Sequence, residues 1–204
     1  MFGAPGAGKS TAASGLFSLL KMEDVDVEVV CEYAKKCVWN NRSETLNDQL
    51  YITAKQNHEL QILKGKVDFI ITDSPLLLGM LYKPTDTVSC FNELALSLFN
   101  SYNNLNFFIN RTKPYKAKGR LQTEQQSNHI SKQLKDLLDD INIPYIEIDG
   151  DRNVSVNILK HLTKELWNGN KEEEKEDFEQ FRVDTFTKRN ELHSGLGGSF
   201  KPEF

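Results

Sequence analysis

The sequence predicts an α/β protein, a parallel sheet with helices on both faces. Three observations predict it. Short β-branched or apolar runs at 25–31, 67–73, 105–109 and 144–148 alternate with segments of helical period. A Gly-rich turn at 3–8 opens directly into an amphipathic helix. Glu32, Asp73 and Arg111 fall where strands end, the edge at which open parallel sheets bind ligands.

The Gly-rich turn comes first. Gly3-Ala4-Pro5-Gly6-Ala7-Gly8-Lys9-Ser10-Thr11 meets every fixed position of the phosphate-binding pattern G-x-x-x-x-G-K-[ST]. Its glycines let successive backbone N–H groups turn inward as an anion nest. The following helix, with Ala12, Leu16, Leu19 and Leu20 on one face, aims its positive dipole end at the same place. Lys9 is placed to reach terminal phosphates, and the Ser10 hydroxyl to ligate Mg²⁺. All nine residues, Gly3 to Thr11, are candidate nucleotide contacts. Such a loop normally leaves a buried parallel strand of about five residues. Only Met1 and Phe2 precede Gly3, so the first strand is nearly absent from this chain. A chain extended upstream by several apolar residues is expected to melt higher, because the middle strand of a parallel sheet supplies hydrogen bonds to both neighbours.

Residues 25–31 read as a strand, with Glu32-Tyr33-Ala34-Lys35 at its end beginning a helix. Residues 38–43 read as a loop. Ser43 is expected to cap a long helix with Leu46, Leu50 and Ala54 on its inner stripe and Asn57 near the same line. Val67–Asp73 is the clearest strand, a continuous apolar run closed by Asp73-Ser74-Pro75. Helices are predicted at 76–82 and 87–100, and a strand at 105–109 that runs into a basic stretch. Thr123, with Gln126 three residues on, predicts a capping box for a helix carrying Ile130, Leu134, Leu137, Leu138 and Ile141. A strand at 144–148 and a helix with Val154, Ile158, Leu162 and Leu166 close the domain, residues 1–168. Residues 169–204 open with an acidic run, followed by Phe178, Phe181 and Phe186, and read as an appendage.

Composition bounds the function. The chain has 204 residues, 39% hydrophobic and 26% charged, with a net charge of −4. No apolar run approaches the ~18 residues of a membrane span. The charge gives no global attraction to nucleic acid. Cys31, Cys37 and Cys90 lack metal-ligand spacing and read as reduced, mostly buried thiols of a cytoplasmic protein.

Chemistry is expected at the strand ends. Asp73 reads as the acidic partner of the phosphate loop, holding Mg²⁺ together with Ser10; the competing reading is a turn-capping Asp before Pro75. Glu32 suits a base or hydrogen-bond acceptor toward a hydroxyl undergoing phosphorylation, or a carboxylate favoured by a helix dipole. Arg111 to Arg120 holds five basic residues and no acid. It reads as a lid in which Arg111 and Arg120 neutralise the transferring phosphoryl group, or as a solvated loop. Trp39 and Arg42 are candidates for a ring-binding pocket, with a core Trp as the alternative.

Gly-Ala-Pro-Gly-Ala-Gly-Lys-Ser-Thr, Cys-Glu-Tyr-Ala-Lys and Ile-Ile-Thr-Asp-Ser-Pro resemble the bacterial ribosylnicotinamide kinases and their P-loop relatives. Arg111-Thr-Lys-Pro-Tyr to Gly-Arg-Leu-Gln-Thr-Glu, then Ile-Pro-Tyr-Ile-Glu-Ile-Asp-Gly, is similar to small kinases of tailed bacteriophages, including those that phosphorylate 5-hydroxymethyluracil in DNA. The resemblance covers about residues 3–165. It implies a P-loop NTPase fold, ATP and Mg²⁺, Glu32 near the acceptor, Arg111 and Arg120 in the lid, and a host-cytoplasmic setting if the source is viral. The expected activity is transfer of the γ-phosphoryl group of ATP to a hydroxyl of a nucleoside, nucleotide or modified base. The alternatives are a nucleotide-driven ATPase switch and a DNA-associated binding module. A GTPase is disfavoured because no Asn-Lys-x-Asp motif occurs.

Overall fold

The computed structural model describes residues 1–118 and 121–169. Arg120 and residues 170–204, which include nearly all of the expected appendage, lie outside the described residues. The chain divides into two compact units, Met1–Lys160 and His161–Phe204. The described part of the second, residues 161–169, is helical.

The first unit is built from short parallel strands. β1 (Val27–Val30) pairs with β2 (Phe69–Thr72), and β3 (Phe107–Asn110) pairs with β4 (Ile146–Asp149). Met1 and Phe2 join the two pairs. The Phe2 N–H donates to the Phe107 carbonyl at 2.7 Å, and the Ile109 N–H donates to the Phe2 carbonyl at 2.9 Å. On the other side the Met1 amino group donates to the Thr72 carbonyl at 2.8 Å. The spatial order is therefore β1, β2, Met1–Phe2, β3, β4. The place of a middle strand is held by two residues, of which Phe2 makes a parallel bridge to Phe108.

Helices cover both faces. Phe2, Val30 and Phe108, which project from one face, gather a core with Leu60, Leu77, Phe99, Leu134 and Leu138. These come from α3 (Gln49–Gln61), α5 (Phe91–Asn100), α6 (Glu124–Asp140) and the segment leading into α4 (Leu78–Tyr82). Alternation along each strand sends Val27 and Ile109 to the opposite face. There α1 (Lys9–Lys21) buries Ala12, Ala13, Leu16 and Leu20, and Ser155 of α7 (Val154–Gly169) donates to the Ala12 carbonyl. Among the described residues no helix is long and apolar enough to cross a membrane.

Several expectations are corrected. α2 (Tyr33–Trp39) extends two residues into the segment read as loop, so Val38 and Trp39 are helical. Ser43 does not cap α3. Residues Ser43–Asn47 form a 3-10 turn, and Asp48 caps α3 by accepting from the Tyr51 N–H. The inner stripe moves with the cap: Gln49, Ile52, Thr53, Gln56 and Leu60 are buried, while Leu50 and Ala54 are exposed. Of the cysteines only Cys37 is buried; Cys31 and Cys90 are exposed. The Thr123–Gln126 capping box is present in full.

Phe2 is fully buried and lies 6.2 Å from the Phe99 ring. Phe2→Ala is expected to cost about 3–5 kcal/mol in denaturant unfolding, the usual range for emptying a buried aromatic site. Leu50→Ala, at the position wrongly assigned inward, should stay within about 0.5 kcal/mol of the parent.

Candidate functional site

The phosphate loop runs from Gly3 into α1. Gly8 adopts φ 106°, a left-handed conformation costly for a side-chain-bearing residue, and hands the chain to the helix at Lys9. The Lys9 ammonium donates to the carbonyl of Gly3 at 2.8 Å and, more weakly, to that of Ala4 at 3.4 Å. The back of the loop is closely fitted. A Cβ at Gly150, just after β4, would lie 2.3 Å from the Ala7 carbonyl oxygen, so only glycine lets that strand end approach. The buried Ser127 of α6 donates to the Pro5 carbonyl at 2.7 Å.

Asp73 fixes the front. It is buried at the end of β2, and both carboxylate oxygens are used. One accepts from the Ser10 hydroxyl at 2.5 Å; the other accepts from the Glu32 backbone N–H at 3.0 Å. Ser10 and Asp73 thus present adjacent hydroxyl and carboxylate oxygens. That hard-oxygen pair suits Mg²⁺, which binds one or two protein groups and completes its shell with phosphate and water. No group of three or more His, Cys, Asp or Glu residues suited to an all-protein metal site occurs among the described residues.

Glu32 is partly buried at the β1–α2 junction and faces the same cleft. Burial raises its carboxyl pKa; Lys9 opposes the rise, Asp73 adds to it, and Lys35 opposes it. Tyr82, opposite, is pushed up to about 12 by burial and by the Glu32 charge. The junction is pinned by Gln56. Its side-chain oxygen accepts from the Tyr33 N–H at 3.2 Å, and its amide donates to the Thr72 hydroxyl at 3.3 Å.

The cleft encloses about 530 Å³, within the usual range for small-molecule sites. Its phosphate end is lined by Pro5, Gly6, Gly8, Lys9, Ser10 and Thr11. The same cleft is lined by Glu32, Trp39, Leu46, Ile52 and Tyr82, and by Asn47, Gln49 and Gln56. Trp39 is 61% exposed, so it is a wall of this cleft and not a core residue. Lys118 of the basic segment, and Leu121 and Gln122 just after it, also line the cleft.

The structure brings Lys9, Ser10, Glu32 and Asp73 together. It does not bring Arg111 to them. That guanidinium is held at the N-terminal end of α6, bonded to Asn128 and paired with Glu124 at 3.2 Å, and it lies over the Tyr115 ring. Arg111 and Arg42 are not among the residues lining the cleft. Asn57 turns elsewhere and accepts from the Tyr102 hydroxyl at 2.8 Å. The sequence reading passed over Gln56, Ser127 and Gly150. Their positions follow from contacts with distant segments, which no local pattern announces.

The family model described as an AAA domain matches residues 1–153. The chain belongs to that family. This AAA domain has the P-loop NTPase fold expected from the sequence, and it is a nucleotide-binding domain. No curated protein matches the chain.

The raised Glu32 pKa carries a stability cost with a defined sign. Below the ordinary carboxyl range Glu32 is neutral in both the folded and the unfolded chain, so folding carries no penalty. As pH rises through the folded-state value, the buried carboxylate must ionise in place and stability falls. Glu32→Gln should therefore melt above the parent at pH 7–8, and the difference should shrink toward pH 4. An unchanged difference across that range in thermal unfolding would show that ionisation is not its source.

Proposed function

We propose that this protein is an ATP-dependent kinase that transfers the γ-phosphoryl group to a hydroxyl of a nucleoside, nucleotide or modified base. One observation carries the reading. A partly buried carboxylate with a raised pKa, Glu32, lines one cleft together with the phosphate loop and with Trp39, Leu46 and Ile52. A hydrolase requires room for only a water beside the terminal phosphate. Trp39, Leu46 and Ile52 in the lining suit a planar ring, and the Asn47 amide suits its polar edge.

In this reading the phosphate loop and Lys9 hold the triphosphate. Ser10 and Asp73 would hold Mg²⁺, which when bound neutralises charge on the phosphate oxygens. The acceptor oxygen forms the new bond to the γ-phosphorus. ADP leaves with the electron pair of the broken P–O bond, and the hydroxyl proton passes to the Glu32 carboxylate. A base whose pKa has risen toward working pH performs that step better than an ordinary glutamate.

The resemblance to phage kinases extends the proposal to 5-hydroxymethyluracil in DNA. A base acceptor must leave the stack, at a cost of a few kcal/mol. Lys116 and Lys118 of the basic segment would offset part of that through the DNA backbone. Residues 169–204 are proposed as a separate appendage to this kinase domain. Membership of an AAA-domain family supports one rival, a nucleotide-driven ATPase in which Glu32 activates water.

Labelled ATP incubated with nucleosides, nucleotides and hydroxymethyluracil-containing DNA separates these readings. The kinase transfers label to one acceptor class, Lys9→Ala abolishes transfer, and Glu32→Gln removes the acid limb of the pH–rate profile. Acceptor-independent phosphate release, with no labelled acceptor, would establish the ATPase instead. If DNA is the acceptor, Lys116→Ala with Lys118→Ala should weaken DNA binding and flatten its dependence on salt. Efficient transfer to a free nucleoside with none to modified DNA would eliminate the DNA version.

A further inference from the structure

We infer that Ser127 is a positioning residue that sets the phosphate nest from behind, although it lies outside the cleft. The inference rests on the nucleotide-binding reading of the loop and not on the kinase activity.

Anion nests work only when loop N–H groups converge on the ligand. A trans peptide points its C=O and N–H in opposite directions, so the direction of one fixes the other. All peptides in the described chain are trans. The Ser127 hydroxyl takes the Pro5 carbonyl at 2.7 Å, across 122 residues of sequence, and Ser127 is 1% exposed. Gly6, the next residue, lines the cleft, whereas Ser127 does not. With the Pro5 carbonyl drawn back toward α6, the Gly6 N–H points forward. The Ala7 carbonyl is backed by the bare Cα of Gly150. The two supports differ in kind. Gly150 merely leaves room, while Ser127 makes a directional bond.

The placement of Ser127 adds a consequence. Glu124 and Asn128, its neighbours in the first turns of α6, hold Arg111 at the root of the basic segment. Thr123 begins the helix with a complete capping box, which fixes those turns. One rigid helix end therefore holds both the back of the phosphate loop and the start of the segment that reaches the cleft through Lys118 and Leu121. A buried serine on an otherwise amphipathic helix is accounted for by this bond.

The test uses inorganic tripolyphosphate with Mg²⁺, which engages the nest without a base or an acceptor, alongside Mg-ATP. Ser127→Ala removes the donor; Ser127→Cys keeps a side chain of similar size with a weak one. Loss of one neutral hydrogen bond that orients a donor is expected to raise both dissociation constants by roughly two- to tenfold, with Cys as weak as Ala or between Ala and Ser. Calorimetric titration and thermal unfolding are measured on each variant. A lower melting temperature with unchanged tripolyphosphate affinity would reduce Ser127 to a packing residue and overturn the inference, as would no change in either. If the Ala variant fails to fold, the Ser-to-Cys comparison decides alone. Failure of the kinase proposal shows instead as absent acceptor labelling while tripolyphosphate still binds and still responds to Ser127.

Discussion

The site depends on the Asp73 carboxylate. Its two oxygens connect three segments that are distant in sequence: the start of α1 through Ser10, the β1–α2 junction through the Glu32 N–H, and its own strand end. A buried carboxylate is tolerable only when it is hydrogen-bonded, and here both oxygens are. The same bonds that offset its desolvation place the Ser10 oxygen and the Glu32 backbone. Ligand chemistry and local stability are thus tied to one side chain. Gln56 repeats the arrangement one layer back, joining Tyr33 to Thr72, the residues next to Glu32 and Asp73.

This clasp works because the sheet brings the strand ends into register. β2 lies beside Met1–Phe2, so Asp73 leaves β2 next to the point where the phosphate loop leaves Phe2. Met1 and Phe2 transmit that register. Phe2 exchanges backbone hydrogen bonds with β3 on one side, Met1 bonds β2 on the other, and the Phe2 ring is fixed in the core. The neighbouring strands are themselves only four residues long. Much of the holding is consequently done by the helices, whose apolar residues close the core below the sheet.

The phosphate loop was legible because its chemistry fixes residue types at fixed spacing, and Asp73 because it interrupts an apolar strand. α3 was misread for a physical reason. Its inner face lines the cleft and supplies polar side chains to it, so Gln49, Thr53 and Gln56 are buried where a core helix would carry leucines. Apolar periodicity then selected Leu46, Leu50 and Ala54, and the 3-10 turn before Asp48 let Ser43 pass as the cap. A basic residue at a strand end suits phosphate; here Arg111 is paired with Glu124 and Asn128 of the next helix through one terminal guanidinium nitrogen, while the other, Nη1, is buried with no hydrogen-bond partner among the described residues. Ser127 and Gly150 carry no signal of their own; each acquires meaning only from a loop more than a hundred residues earlier.

The cleft has a mixed lining: the Lys9 ammonium, the Ser10 hydroxyl and the Glu32 carboxylate share it with an indole, two aliphatic side chains and amides. Burial strips hydration from the Glu32 carboxylate, and Lys9 and Lys35 oppose part of the resulting rise in its pKa. In the proposed kinase, an acceptor ring against Trp39, Leu46 and Ile52 would remove more water and raise that pKa further. A triphosphate beside Lys9 would act in the same direction by offsetting that positive charge. Under that proposal both ligands would make Glu32 a better proton acceptor.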